Sequence, residues 1–439
     1  MPENDTQRHN FRHLYHDVFW WGALAGSTLS FLPVFLARIE ASPFQIGMLT
    51  AGPAIISLLF SLPAGRWLRG ADMVRSTLIA AMLHRFGFLV ILPLPWVLSG
   101  NSLVVATLIV ILIAAIAGSF VSISFNAMFA ELIPGAALPG VVGRRNALLA
   151  FSTTITTLAC GGLLEVIPFP INYQVVFGIG VIGAGMSAYH IGKLKSAHEW
   201  NTQLNLPMRD LARIGRLFSG DGMRQSPGMR YLLREGSSRL LRLEILRTPF
   251  GPLMLAYFLF YFIQHITVPL FPIYFVETLQ LSDGMISIAS AVFNGSMLLA
   301  STQMGRLSRM SNPHRVLTIS AVLYCVYPLL SSLAQGAPLL IIASLLGGAI
   351  WAVANAGLIS LLMERVPAGD RPAHMAMHNL LLNLGILLGS FAGPWIAGYV
   401  DLRGAILIGA GLRIAAGLWL GWLSQPPAEK NGMIQSPAQ

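Results

Sequence analysis

Only 10% of the 439 residues are charged and 55% are hydrophobic, whereas a soluble domain carries about a quarter charged residues. That composition excludes a water-soluble globule, and two cysteines in all exclude a disulfide framework. Twenty-eight basic residues against eighteen acidic ones leave a net charge of +10, which has to be explained by where the charges fall.

The chain opens on MPENDTQRHNFRHLYHD, polar and without a short apolar segment ahead of a small-residue cleavage site. Residues 1–16 are therefore expected to form a cytoplasmic tail, with no removed signal peptide. Twelve apolar runs follow, each near the roughly 20 residues that a membrane-crossing helix needs. In chain order they are Asp17 to Ala37, Ile46 to Gly65, Ser76 to Leu98, Leu103 to Asn126, Asn146 to Val166 and Tyr173 to Gly192. After a polar interval come Pro249 to Phe271, Met285 to Met304, Val316 to Ala334, Pro338 to Leu362, His378 to Tyr399 and Gly404 to Leu423. Cys160 and Cys325 fall inside two of these runs and read as small buried hydrophobes.

With twelve crossings the loops alternate between sides. Of the 28 basic residues, Arg38 and Arg403 fall in loops of one side and Arg85 and Arg413 inside spans; the other 24 lie on the opposite side. The positive-inside rule then places both termini in the cytoplasm. Membrane orientation and the anionic inner leaflet account for the net charge, so no nucleic-acid partner is needed.

The sequence also repeats itself. GRWLRGADMVR, Gly65 to Arg75, returns at an offset of 240 as GRLSRMSNPHR, Gly305 to Arg315. Glu131, Pro134, Asn146, Leu148 and Leu149 return at an offset of 233 as Glu364, Pro367, Asn379, Leu381 and Leu382. The chain thus divides into a tail at 1–16, a six-helix half at 17–192, a linker at 193–248, a second six-helix half at 249–424 and a tail at 425–439. The stretch Lys193 to Arg247, with eleven basic and five acidic residues, mixes arginine with leucine as a membrane-apposed tether would.

Two parallel six-span halves joined by a basic linker resemble the major facilitator superfamily. Gly65 to Arg75 and Gly305 to Arg315 are similar to its inner-loop signature, although Arg69 stands where the family usually has aspartate, Asp72 comes three residues late, and the second copy has no acid. Glu364, Pro367 and Arg371 resemble the family's element after the tenth span; Glu131 with Pro134 is its counterpart, with Arg144 and Arg145 arriving later. The resemblance covers roughly residues 15 to 424. It implies an all-α fold of twelve transmembrane helices in two pseudo-symmetric bundles that rock about a central site.

On that reading Arg66, Arg69, Arg144 and Arg145 are expected to pair with Glu131 or Asp17, and Arg306, Arg309 and Arg371 with Glu364, while the inner gate is closed. The family's cavity-lining spans direct attention to Ser27, to Ser119, Ser122 and Asn126, to the stripe Tyr257, Tyr261, Gln264 and His265, and to Trp351 and Asn355. Asn294 and Asn383 are further candidates. Arg85 is a candidate functional charge because an ionisable group at depth is costly, while Arg413 reads as structural. Asp17, Glu131, Glu165 and Glu364 all fall near predicted span ends, leaving no deep carboxylate for a cationic substrate; a neutral or anionic small organic solute is expected.

His265 is the one obvious titratable substitute for a proton-relay carboxylate, so protons are a candidate coupling ion. His374 and His378 are spaced like a metal pair but lack a third ligand, no phosphate-binding glycine loop is present, and no catalytic constellation converges. A carrier that is not an enzyme, without metal or cofactor, monomeric and embedded in the lipid bilayer, is expected. Two alternatives stand beside it. One is a multidrug-type proton antiporter, suggested by GILLGSFAGPWIAG, an exporter-like glycine-proline motif found in the eleventh span rather than the fifth. The other is a carrier-fold receptor or assembly factor.

Overall fold

The computed structural model describes residues 5–68, 72–133, 137–195, 243–248, 250–310, 313–366 and 371–424. Most of the linker, residues 196–242, lies outside them, as do Arg69, Pro134, Pro367 and both tails from 1 to 4 and 425 to 439. All regular structure among the described residues is helical. Among the described residues, eleven helical segments are long and apolar enough to cross a membrane. The last, Arg371–Ser424, is broken by Asp401 at φ 75° and ψ 172° into arms of 371–400 and 402–424. With the two arms taken separately, the described helices supply twelve candidate crossings, and the chain is an integral membrane protein.

The first span begins at Asp5, well ahead of the expected Asp17, and runs through Leu24, a π-helical turn at Ala25–Leu29 and a last helix at Ser30–Arg38. Its polar beginning hides an amphipathic pattern: Phe11, Leu14 and Val18, three and four residues apart, are buried. The remaining spans are Pro43–Trp67, Met73–Ile91 with Leu94–Val97, Gly100–Leu132, Leu138–Val166, Ile171–Gly192, Gly251–Thr267 continued to Thr278, Asp283–Met310, Pro313–Leu323 with Val326–Leu333, Ala337–Arg365, and the two arms. One face of the molecule, here the terminal face, carries the starts of the first and seventh spans; the other, the distal face, carries Arg38, Asp283 and the break at Asp401.

The internal repeat is visible in backbone detail. The turns after the first and seventh spans each hold a non-glycine residue at positive φ, Glu40 at 60° and Gln280 at 47°, 240 positions apart. Two residues further on, Ser42 Oγ accepts the amide of Gln45 and Ser282 Oγ that of Met285, both at 3.3 Å. These are matched caps at the distal starts of the second and eighth helices.

Packing differs between the two faces. On the distal side one core draws on both halves, uniting Phe31, Phe35, Leu36, Ile46 and Leu164 with Leu270, Ile273, Tyr274, Leu281 and Ile286. Towards the terminal face there are two separate cores. One joins Phe11, Leu14, Phe125, Phe129 and Val142 of the first half; the other joins Tyr257, Phe260, Leu358, Leu361 and Met377 of the second. Apolar burial therefore holds the halves together on the distal side and holds each half to itself on the other.

Candidate transport pathway and its gates

Polar contacts reinforce the distal closure. Arg38, at the end of the first span, donates from Nε and Nη2 to Asp283 Oδ1 at 3.1 and 2.9 Å and from Nη2 to the carbonyl of Leu281. Glu165 Oε1, at the end of the fifth span, accepts the amide of Gly284 at 2.8 Å. Both contacts cross from one half to the other beside the start of the eighth span. Close backbone approach accompanies them: a side chain at Gly161 would overlap the Ser287 hydroxyl, and one at Gly47 would overlap the Ser390 carbonyl. Phe44 stacks on Phe391 at 4.8 Å between centroids.

Inside the first half lies a buried charge cluster that joins four spans. Arg145, 1% exposed, donates Nη1 to the Leu14 carbonyl at 2.7 Å and sits 3.4 Å from Asp17 Oδ2. Its guanidinium lies over the rings of Phe125 and Phe129 at 5.0 and 5.3 Å. Ser187 donates to the other carboxylate oxygen of Asp17 and accepts Arg85 Nη2 at 2.6 Å. Arg85 Nη2 is 3.8 Å from Asp17 Oδ1, and its Nε and Nη1 find no hydrogen-bond partner among the described residues. Fixing one carboxylate between two guanidiniums offsets part of the cost of burying all three charges.

This cluster corrects three expectations. Asp17 does not sit at an exposed span end, because the helix starts at Asp5; it is 3% exposed. The pair Arg145–Asp17 joins the first and fifth spans of one half, so it does not bridge the halves as a gate would. Arg85 is aimed at the first and sixth spans of the same half, which removes it from the substrate-binding set.

In the second half the seventh-span stripe is drawn against the tenth and eleventh spans. Tyr257 donates its hydroxyl to the Leu358 carbonyl, and Tyr261 Oη is 3.5 Å from His378 Nε2. The His378 ring stands edge-on to Tyr257 at 5.1 Å. His265 Nδ1 meets the Tyr261 carbonyl at 2.8 Å. Gln264 is 6% exposed with its Oε1 unpartnered among the described residues, while its backbone carbonyl accepts Arg413 Nη2 at 3.1 Å. Arg413 also donates to Thr267 Oγ1 at 2.6 Å and to the Tyr324 carbonyl at 3.2 Å, tying together the seventh, ninth and twelfth spans.

The other candidates are dispersed. Ser27 lies in the π-helical turn, fully buried, donates to the Ala23 carbonyl at 2.6 Å and faces Gly180 of the sixth span; it is a contact inside one half, not a cavity group. Ser119 and Asn383 are spent on carbonyls of their own helices, Ala115 at 3.2 Å and Asn379 at 2.8 Å. Trp351 stacks on Tyr324 at 4.9 Å. Ser122, Asn126, Asn294 and Asn355 are half-buried.

On the terminal face, Glu364 Oε1 comes within 3.8 Å of His314 Nε2, a neighbour from its own half. Glu131 and Arg144 are exposed. The side chains of Arg66, Arg306, Arg309 and Arg371 lie outside the described part of the structure, as does Arg69 altogether. Arg38, Asp283 and Glu165 form contacts between the halves that sequence reasoning missed. The available signal was that Arg38 is one of only two loop arginines on its side.

A twelve-span bundle of two repeated halves, closed at one face, is the architecture of a polytopic membrane carrier. The sequence pattern of the Major Facilitator Superfamily matches residues 253–438, and the chain as a whole shares its fold with solved membrane transporters. A bacterial homologue of the iron transporter ferroportin in an inward-facing state is 12% identical, with 96% of this chain and 99% of that one aligned at a TM-score of 0.70. The nucleoside transporter NupG, in the form of a point mutant, is 14% identical over 94% and 99% of the two chains at 0.68. The inward-open conformation of the xylose transporter XylE from E. coli is 15% identical over 97% and 96% at 0.64. No curated protein matches by sequence.

Proposed function

We propose that the chain is a secondary carrier of the cytoplasmic membrane, with both termini in the cytoplasm, that moves a neutral or anionic small organic solute by alternating access. The observation that carries this reading is the asymmetry of packing: one shared core and two polar bridges on the distal side, two separate cores towards the terminal side. That is the arrangement of a carrier caught open to one compartment, whose halves, 17–192 and 249–424, tilt about the distal seam. Two of the similar solved structures are in inward-facing or inward-open states, which agrees with the terminal face being cytoplasmic.

The solute is proposed to sit near mid-span, among Tyr261, Gln264 and Trp351 of the second half and Ser122 and Asn126 of the first. The substrate class follows from charge. Asp17 is already held by Arg145 and Ser187 and offers no free carboxylate to a cation. Closing of the terminal face is proposed to bring Glu131 and Glu364 to its charged rim.

The test is a thermal-shift screen of the purified chain against sugars, nucleosides, organic acids and organic cations, followed by flux of each stabilising compound into reconstituted vesicles. Saturable flux of a neutral or anionic compound, lost in Gln264→Leu, is the expected result. Binding and flux confined to organic cations would overturn the substrate class, and binding without flux would overturn transport.

A further inference from the structure

Away from the central pathway, a cleft of about 440 Å³ opens on the terminal face between the first and fifth spans. Its walls include Arg8, Phe11, Arg12, Tyr15 and His16 of the first span and Gly140 and Arg144 of the fifth. Three guanidiniums and an imidazole line it, with no carboxylate among the lining residues. The nearest acid in sequence, Asp17, is turned the other way and bound by Arg145 and Ser187. Arg12, His16 and Arg144 are exposed, whereas Phe11 is anchored in the apolar core with Phe125 and Phe129. The cleft thus has a greasy floor and a cationic rim.

Helix length measured from the distal end of the first span sets its environment. Asp17 precedes Arg38 by 21 residues, about 31 Å of helix, which matches the roughly 30 Å hydrocarbon thickness of a bilayer. His16 and Arg12, one and five residues ahead of Asp17, then lie at the start of the headgroup layer. The fifth helix starts in the cleft wall, and its cap residue Ala137 makes no side-chain capping bond. Its first-turn N–H groups add to the positive field of the guanidiniums.

We propose that this cleft is a phosphate-binding site at headgroup depth, with Arg12 and Arg144 as the opposing jaws and Tyr15 and His16 as hydrogen-bonding flanks. Paired guanidiniums from two helices suit the tetrahedral oxygens of a phosphate ester, which accept bidentate N–H donors. A basic pocket between spans at this depth meets phosphate either on an anionic lipid or free in the aqueous phase. Occupancy would fix the start of the first span against the fifth.

The test uses the purified full-length chain and three probes: dioctanoyl phosphatidylglycerol, dioctanoyl glycerol, which has the same tails and no phosphate, and inorganic phosphate. Binding is read by native mass spectrometry and by titration calorimetry. Phosphatidylglycerol is expected to bind and dioctanoyl glycerol not. The double variant Arg12→Gln/Arg144→Gln is expected to bind phosphatidylglycerol at least tenfold more weakly. Gly140→Trp keeps every charge and fills the cleft, since a side chain at Gly140 meets nothing within 4 Å; it is expected to weaken binding to a similar degree. Arg75→Gln, an exposed arginine at the start of the third span, serves as control and is expected to bind like wild type. Competition by millimolar inorganic phosphate assigns the site to free phosphate as well, and its absence to lipid phosphate; both support the site. Equal binding of the two lipids, or wild-type affinity in the double variant and in Gly140→Trp, would overturn it.

Discussion

The distal seam makes a quantitative claim. Two unit charges about 4 Å apart are worth ~4 kcal/mol at an effective dielectric constant near 20. The side chains of Arg38 and Asp283 are 26% and 10% exposed, so solvent screening reduces the pair to about 1–2 kcal/mol. Arg38→Gln or Asp283→Asn should therefore raise the population open at the distal face by roughly 5- to 30-fold. Ser287, 2% exposed and packed against Gly161 across the seam, is a suitable reporter. As Ser287→Cys in a background where Cys160 and Cys325 are serine, it should react with a membrane-impermeant maleimide faster by that factor in either variant. Combining both changes should add little, because each already removes the same pair. Labelling rates that match the parent in both single variants would show that the ion pair contributes nothing to holding the seam.

Four further outcomes follow from the contacts. Asp17→Asn leaves Arg145 and Arg85 buried without a counter-charge and should cost about 3–5 kcal/mol, read as a lower thermal midpoint in detergent; Asp17→Asn combined with Arg145→Met should recover part of it. Gly389→Leu would drive a side chain into the Phe262 carbonyl and the His265 Cβ, so the seventh and eleventh spans must separate; a lowered midpoint is expected, and an unchanged one would count against the close packing of these helices. Tyr261→Phe removes the hydroxyl facing His378 and should reduce solute flux several-fold at unchanged expression, whereas Tyr257→Phe, which loses a bond to the Leu358 backbone, should cost about 1 kcal/mol of stability. If His265 carries a coupled proton, His265→Ala abolishes solute-driven acidification of vesicles while exchange flux persists; equal acidification in both proteins would dispose of that role.

The glycine motif of the eleventh span illustrates how a sequence pattern can be real and its meaning local. Gly385, Gly389 and Gly393 recur every four residues because each lies against the backbone of the seventh span, at Phe262 and Ile266. Small residues at one helical face let two helices approach closely. The spacing records a helix contact and says nothing about the direction of transport.

What sequence alone determined is the part of this protein governed by local composition. Apolar runs of helical length, the placing of 24 basic residues on one side, and echoes at offsets of 240 and 233 are each readable without knowing which helices touch. They determine the number of crossings and the doubled architecture, because lipid demands satisfied backbone and enough apolar length from every span separately. Which charges meet was decided only by tertiary structure. Arg145 and Arg85 are 60 residues apart in sequence and converge on Asp17. Arg38 finds Asp283 across the seam, and the polar start of the first span becomes one wall of a basic cleft. Partner choice of this kind depends on the rotation of each helix about its own axis and on which helices are neighbours. Both are set by the packing of the whole bundle and by no window of sequence.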